Sequence, residues 1–201
     1  MSVFEEQADF FPETLLEDTI DDGGDRRWWV RYTKARHEKA LARQLMGYEI
    51  PFCLPLVDKT SACRGRRIHT LVPLFPGYVF LFGSDEERIV SLTTNHISRV
   101  LDVPDPEGLR ADLRQVRQLI EAKVPLTPES RLAPGDRVRV RSGPMAGIEG
   151  TVLDRRGCVR LVVAINFLQQ GASVEIEDFM LEPINWQEPE RLPSPVVYSL
   201  G

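Results

Sequence analysis

The stretch Gly135–Leu153, GDRVRVRSGPMAGIEGTVL, places turn-forming residues between two runs that favour β-strand. Its first run alternates arginine with valine, which is the period-two pattern of a strand with one buried and one solvated face. Gly143-Pro144 ends that run because proline offers no N–H to a sheet ladder. Gly147 and Gly150 then permit the positive φ angles or close approaches of a tight turn. The stretch therefore predicts two strands that run antiparallel around a turn.

The residues after this stretch continue as short strands. A third strand is predicted by an alternating apolar set, Val159, Leu161, Val163 and Ile165. Two more follow at Val174–Ile176 and Phe179–Leu181. Because five short strands fall within about fifty residues without a helical period, we predict a five-stranded SH3-like β-barrel over residues 131–184.

The opening stretch also resembles a known motif. Gly135–Val140, Gly143-Pro144, Met145–Gly147 and Gly150–Val152 are similar to the KOW motif that begins the C-terminal domain of NusG-type transcription factors. KOW barrels also occur in ribosomal proteins. The motif therefore implies a barrel and leaves two functions open, a transcription factor and a ribosome-associated RNA-binding protein.

The residues before the barrel alternate between strand and helix patterns. A strand is predicted at Trp28–Thr33, and Leu41, Leu45 and Tyr48 then recur at helical spacing. The later elements are an extended hairpin at 53–70, a strand at 74–82, a helix capped by Ser84 or Asp85, a strand at 97–103, and a helix with Leu109, Leu113, Val116 and Ile120 on one face. This order predicts an α+β domain over 28–122, a four-stranded antiparallel sheet flanked by helices. A proline-bearing linker is expected at 123–130.

The strand at 74–82 is apolar on both faces. Tyr78, Phe80 and Phe82 fall on one face, and Val79 and Leu81 fall on the other. Either the strand is central and buried on both sides, or its aromatic face is a docking surface for a partner.

Three segments resemble the N-terminal (NGN) domain of NusG-type factors: Trp28–Val30 with the helix after it, Leu74–Val79 and Ile97–Val100. The resemblance covers residues 28–184 in the family's domain order. It implies a transcription elongation and antitermination factor whose N-terminal domain binds the clamp helices of the RNA polymerase β′ subunit and reaches toward the β subunit.

The same resemblance implies the residues that make these contacts. We expect the clamp helices to be bound by Phe75, Tyr78 and Phe80. We expect the β subunit to lie near Glu86, Glu87 and Arg88.

The loop Ile165–Gly171, INFLQQG, keeps a phenylalanine that the family places here but lacks the family's glycine-arginine pair. The chain therefore resembles specialised paralogues of RfaH-like kind, which act on a subset of operons, and contact with the ribosome or with termination factor Rho stays open. Phe167 is either a core residue or an exposed contact for a second partner. Because residues 159–176 are rich in β-branched side chains, we expect no refolding of this domain into helices.

The hairpin at 53–70 has a basic tip. It holds no acidic residue after Asp58. We expect Arg64, Arg66 and Arg67 to contact phosphates of upstream or non-template DNA, with simple solvation as the alternative.

The net charge of −5 is unevenly distributed. Residues 1–27 hold nine acidic and two basic residues without a sustained period, which predicts a disordered leader. Residues 131–184 hold seven of each sign, so they lack the basic patch of a ribosome-associated RNA-binding protein. The tail 185–201 gives no clear pattern.

The sequence carries no catalytic or metal-binding motif. Its three histidines are far apart in the chain, and the one at position 37 is expected to be exposed. The three cysteines lack metal-ligand spacing and predict free thiols. No run reaches the roughly 18 apolar residues of a membrane span. We therefore expect a cytoplasmic monomer that is not an enzyme, needs no cofactor or metal and does not bind membranes.

Overall fold

The structure, a computed structural model, describes residues 9–17, 25–63, 66–129, 135–155, 158–177, 180–184 and 197–199. The chain divides into two compact units between Val103 and Pro104. The first unit also contains the strand at 197–199, to which the chain returns after the second unit.

The described elements follow one another in a mixed order of strands and helices. The first unit contains β1 (Phe10–Phe11), a 3₁₀-helix (Glu13–Leu16), β2 (Arg27–Thr33), α1 (Glu38–Gly47), β3 (Phe52–Cys53), β4 (Leu56–Cys63), β5 (Arg66–Pro73), β6 (Tyr78–Gly83), α2 (Asp85–Thr93) and β7 (Ile97–Asp102). The second unit contains α3 (Pro106–Glu121), β8 (Thr127–Glu129), β9 (Asp136–Val140), β10 (Glu149–Arg155), β11 (Cys158–Ile165), a 3₁₀-helix (Asn166–Leu168), β12 (Gln170–Glu175) and β13 (Leu181–Pro183). The last element is β14 (Val197–Ser199). The predicted α+β class, with helices beside antiparallel sheets, is confirmed.

The first sheet has the strand order β1-β3-β6-β2-β7-β14, and all its pairs are antiparallel. Strands β2, β6 and β7 lie where the sequence predicts strands. The two outer strands come from the leader and the tail, which the sequence analysis left outside the domain. Six strands therefore replace the four that were expected.

Part of the acidic leader is integrated into the first unit, although the sequence predicts disorder there. Phe10 and Phe11 pair with Cys53 and Phe52. The 3₁₀-helix that follows buries its two leucines almost completely. The pairs Phe10-Phe11 and Leu15-Leu16 bury apolar surface, and this burial offsets the free-energy cost of ordering a charged segment. Residues 1–8 and 18–24 of the leader lie outside the described residues.

One face of the first sheet carries α1, α2 and the main core. The members of this core are Trp29, Leu41, Ala42, Leu45, Ile50, Phe52, Leu54, Leu56, Val79, Leu81, Ile97 and Val100. Arg31 lies on the same face, and its Nε donates to Ser91 Oγ of α2 at 3.1 Å. Burial lowers the pKa of Arg31 to about 9.

The opposite face of the first sheet is also apolar. The strand register places Phe10, Cys53, Phe80, Val30 and Leu101 in one row across five strands. All five side chains are buried. Of the two alternatives for this strand, β6 is therefore a central strand that is buried on both sides at Phe80.

The second sheet has the order β13-β9-β10-β11-β12-β8 and is antiparallel throughout. Five of these strands fall in the region where the sequence predicts a five-stranded barrel. The sixth, β8, comes from the segment predicted as a linker, and it pairs with β12. Its Glu129 is buried and accepts a hydrogen bond from Ser173 Oγ at 2.7 Å.

Helix α3 belongs to the second unit, whereas the sequence analysis places it in the first domain. The apolar stripe of α3 predicts a helix that packs on a sheet, but the stripe does not specify which sheet. Three polar side chains of α3 instead bind loops of the second sheet. The division of the chain accordingly falls about twenty residues earlier than the predicted linker.

No helix in the described part of the chain combines the length and the hydropathy that a membrane span requires.

Candidate functional site

The turn before β6 is fixed by hydrogen bonds to two other elements. The N–H of Gly77 donates to Glu38 Oε1 of α1 at 2.7 Å, and its carbonyl accepts from the N–H of Thr33 at 2.7 Å. Gly77 has φ of +89°, and a Cβ at this position would come within 2.8 Å of Tyr32 Cε2. Glycine is therefore required here for both its conformation and its small size.

Two tyrosines meet at the end of the sheet beside this turn. Tyr32 and Tyr78 face each other across β2 and β6, with ring centroids 5.1 Å apart and an interplanar angle of 64°. Arg99 of β7 is the next residue in the same row. Tyr32 is 37% exposed and Tyr78 is half-buried. We call Tyr32, Tyr78 and Arg99 the tyrosine edge.

The electrostatic surroundings of the tyrosine edge keep Tyr78 neutral. Burial raises the pKa of the Tyr78 phenol, Tyr32 raises it further, and Arg99 lowers it in part. A neutral phenol both donates and accepts hydrogen bonds. The edge thus offers two aromatic rings with polar tips next to one cationic side chain.

The structure brings the three residues expected to bind the clamp helices close together but does not expose them equally. Phe75 and Phe80 make an edge contact at 6.2 Å between centroids, and both are fully buried. Only Tyr78 of the three reaches the surface. The sequence analysis missed Tyr32. Its position two residues after Val30 in a strand already placed it on the same face of β2 as Val30, and the strand pairing puts that face beside Phe80 and Tyr78.

The three residues expected near the β subunit lie at the start of α2. Glu87 completes a capping box with Ser84, and its Oε1 lies 2.6 Å from Arg26 Nη2. Arg88 pairs with Asp85 and lies 5.2 Å from the centre of the Trp29 ring. Glu86 is exposed and accepts from Ser84 Oγ at 2.8 Å. All three side chains thus have contacts within the unit, and Glu86 is the most accessible of them.

The hairpin arm is formed by β4 and β5, which pair as a separate two-stranded sheet. Arg66 and Arg67 are exposed near its tip, while Arg64 lies outside the described residues. Ile68 and Leu71 are also exposed, at 44% and 45%. The arm therefore presents both cationic and apolar side chains to the solvent.

The backbone of Phe167 lies in the 3₁₀-helix after β11, and its side chain is outside the described residues.

Two histidines that are distant in the sequence meet in the structure. His37 and His96 face each other through their Nδ1 atoms at 2.8 Å, and both rings are partly buried. The expectation of an exposed His37 is therefore wrong, because the loop before α1 and the loop before β7 are joined here by Lys34 N–H donating to the carbonyl of His96. Within the described ranges no group of three or more metal-ligating side chains is present.

Comparison with known proteins gives the same family as the motifs. Residues 26–111 match the family model described as "NusG: Transcription termination factor nusG". These residues are similar to a NusG-type domain. The chain is also 28% identical over 178 residues to "Transcription termination/antitermination protein NusG" of Pasteurella multocida (strain Pm70), covering 80% of this chain and 96% of that protein. Because 80% of the chain exceeds the length of the first unit, the similarity to NusG extends into the second unit.

Proposed function

We propose that the chain is a transcription elongation and antitermination factor that binds the clamp helices of RNA polymerase through the tyrosine edge. The observation that carries this proposal is the partly exposed pair Tyr32 and Tyr78, whose second member belongs to the Leu74–Val79 segment that resembles the NGN domain. The name of the Pasteurella relative, a transcription termination/antitermination protein, supports the same role.

Tyrosine pairs are well suited to bind the surface of a helix. Their rings bury apolar area at low cost in conformational entropy, and their hydroxyl groups bond polar atoms at the rim of an interface. The buried Phe75 and Phe80 then support the turn that holds Tyr78, so their removal would act on binding indirectly. Arg99 adds a charge that pairs with acidic side chains of a partner.

The factor would act on the polymerase by a shift of populations. A ligand that binds only the elongating state of an enzyme stabilises that state relative to the paused state by its difference in binding free energy. A difference of about 1.4 kcal/mol changes the ratio of the two states tenfold. No bond is made or broken by the factor in this mechanism.

The hairpin arm would contact nucleic acid beside the polymerase. Arg66 and Arg67 are exposed on β5, and Arg64 follows the end of β4 in the sequence. Arginines placed in this way bind phosphates of upstream or non-template DNA without reading the sequence. Glu86 is the residue of α2 that best fits a contact with the β subunit, since it is exposed while Glu87 and Arg88 are partly buried and hold ion pairs within the unit.

The departure of the loop INFLQQG from the usual family pattern supports a specialised paralogue of RfaH-like kind. Such a protein would serve a subset of operons. Phe167 would then contact a partner other than the one bound by general NusG proteins. Binding of the chain to Rho and to the ribosome is the first property to compare with that of a general NusG protein.

The proposal is tested by the affinity of the full chain for core RNA polymerase. Tyr32→Ala and Tyr78→Ala should each weaken binding about tenfold, because each removes a partly buried aromatic anchor worth about 1–2 kcal/mol. Tyr48→Ala is the matched control, since Tyr48 is 53% exposed and lies at the end of α1, away from the tyrosine edge. Circular dichroism and thermal unfolding verify that each variant is folded.

Equal binding by all four proteins would contradict the proposed surface. A wild-type chain that fails to bind polymerase and instead binds ribosomal subunits would contradict the proposed function and favour the ribosome-associated alternative.

A further inference from the structure

The hairpin arm is exposed on both of its faces. Residues 66–71 of β5 are all exposed, and so are residues 58–60 of β4. Successive side chains of a strand point to opposite faces, so these runs of exposed residues mean that the described part of the chain covers neither face. A two-stranded ribbon without a packed face is only marginally stable in water. The arm is therefore suited to a partner that packs against it.

The register of β4 and β5 sorts the side chains of the arm onto its two faces. Lys59 lies opposite Thr70, and Asp58 lies opposite Leu71. Ile68 is two residues from Thr70 along β5 and therefore shares its face. We call the first set of exposed side chains the cationic face of the arm, and its members are Lys59, Arg66, Ile68 and Thr70. The exposed side chains of the opposite face are Asp58, Thr60, Arg67, His69 and Leu71.

The two faces of the arm differ in charge. The cationic face carries Lys59 and Arg66 and has no acidic side chain among its described residues. The opposite face carries Arg67 but also Asp58, whose Oδ2 lies 3.0 Å from His69 Nδ1. Phosphate attracts lysine and arginine and repels a carboxylate. Charge complementarity therefore favours the cationic face as the one that meets a nucleic acid.

An apolar side chain lies among the polar side chains of the cationic face. Ile68 is 44% exposed and lies between Arg66 and Thr70 on this face of β5. Contact with phosphate is made by cationic and polar groups and gains nothing from an isoleucine. An apolar side chain does fit the C5-methyl group of thymine, which lies in the major groove of DNA. The major groove is also wide enough to admit a two-stranded ribbon, so the shape and the side chains of this face match the same site.

We propose that the hairpin arm lies in the major groove of duplex DNA with its cationic face toward the bases, and that Ile68 packs against the methyl groups of thymines. Arg66 binds phosphate at the edge of the groove, while Lys59 and Thr70 offer hydrogen bonds to base edges. This inference rests on the DNA contact proposed above for the arm and adds contact with bases to it. It does not depend on binding to the polymerase.

Duplex RNA does not fit the cationic face in this way. The major groove of an A-form helix is deep and narrow, and side chains cannot read it. Uracil also lacks the C5-methyl group that Ile68 would contact. The arm should therefore prefer duplex DNA to duplex RNA of the matching sequence.

The proposal is tested with two DNA duplexes that differ only in this methyl group. One alternates adenine with thymine over about 20 base pairs, and the other has deoxyuridine in place of every thymidine. Every register of the first duplex presents thymine methyl groups in the major groove, so no recognition sequence has to be known. Fluorescence anisotropy measures the affinity of the full chain for each duplex. The wild type should bind the thymine duplex about fourfold more tightly, because burial of one methyl group contributes about that factor.

Ile68→Ala and Leu71→Ala form a matched pair of variants. The two side chains are 44% and 45% exposed, but they lie on opposite faces of the arm. Ile68→Ala should bind the two duplexes equally, whereas Leu71→Ala should keep the preference of the wild type. Because both side chains are exposed, neither change should alter folding, and thermal unfolding verifies this.

The other outcomes separate this inference from the proposed function. Equal binding of the two DNA duplexes by the wild type, with an affinity that falls as salt rises, would overturn the contact with bases and leave the phosphate contact standing. Absence of any DNA binding would overturn both contacts, while binding to polymerase is measured independently. Loss of the preference in both variants, or in neither, would show that the cationic face does not recognise the methyl group. Duplex RNA bound as tightly as the thymine duplex would exclude the major groove.

Discussion

Replacement of Gly77 by alanine should destabilise the first unit by about 2–5 kcal/mol. The strained backbone is the first cause, since φ of +89° costs a residue with a Cβ about 1–2 kcal/mol. The second cause is overlap, because the new Cβ would come within 2.8 Å of Tyr32 Cε2, and such overpacking costs about 1–3 kcal/mol. The two effects act on the same turn.

Two other glycines of the chain separate these causes. Gly147 has φ of +85° with no atom within 4 Å of an added Cβ, so Gly147→Ala should show the backbone cost alone, about 1–2 kcal/mol. Gly47 ends α1 with free space around it and no positive φ, so Gly47→Ala should be neutral or stabilising by up to about 1 kcal/mol. The order of destabilisation is therefore position 77, then 147, then 47.

The assay is chemical denaturation of the full chain, followed separately in each unit. Amide signals of β2 report on the first unit, and amide signals of β11 report on the second. In thermal unfolding, the Gly77→Ala transition of the first unit should fall by about 10 °C or more. If Gly77→Ala is no more destabilising than Gly147→Ala, the contact with Tyr32 has no energetic weight, and the account of the turn given above is refuted.

Two further predictions concern charge. In wild-type protein the packing of α3 on the second sheet should weaken as pH rises from about 4 to about 6, because the Asp112 carboxyl group binds its proton more tightly when the helix is packed than when it is in water. The equilibrium constant for packing falls in total by about a hundredfold, or about 3 kcal/mol. In Asp112→Asn, the packing of α3, measured by amide exchange at Asn166 and Glu149, should be independent of pH over this range. A pH profile like that of the wild type would show that Asp112 is not the titrating group. Replacing Arg66 and Arg67 together by glutamine should reduce the salt dependence of DNA binding by the full chain, measured by fluorescence anisotropy, by a log–log slope of roughly 1–2. An unchanged slope would place the phosphate contacts elsewhere.

The elements with strong local patterns could be predicted from the sequence. The aromatic and β-branched residues of Trp28–Thr33 favour a strand, and Ser84 marks the start of α2 through its capping box. The strands β9 and β10 were likewise indicated by alternation and by the glycines between them. Each of these signals lies within about ten residues, so no knowledge of long-range pairing was needed.

The elements that depend on distant partners could not be predicted in this way. β1, β8 and β14 are two or three residues long, and such lengths carry no period. Each is a strand only because an open sheet edge lies beside it. The assignment of α3 has the same origin, since its polar side chains become informative only when Asn166 and Glu149 are brought near.

The same limit applies to the candidate site. Alternation placed Tyr78 and Phe80 on one face of β6, but it did not reveal that Phe80 would be covered and Tyr78 left half open. Tyr32 became part of the site through its register with Tyr78 across two strands. The contact between His37 and His96 also depends on the tertiary fold, because the two residues are 59 positions apart in the chain.

The return of the chain to its first sheet makes the second unit an insertion between β7 and β14. Val197 pairs with Leu101, so the strand that precedes the second unit and the strand that follows it lie side by side. Under mechanical tension applied through residues 9 and 199, the load would pass through β1, across the first sheet and out through β14. The second unit would bear no force until the three-residue ladder at 197–199 peels from β7, and from that moment it would be the part of the protein that is stretched.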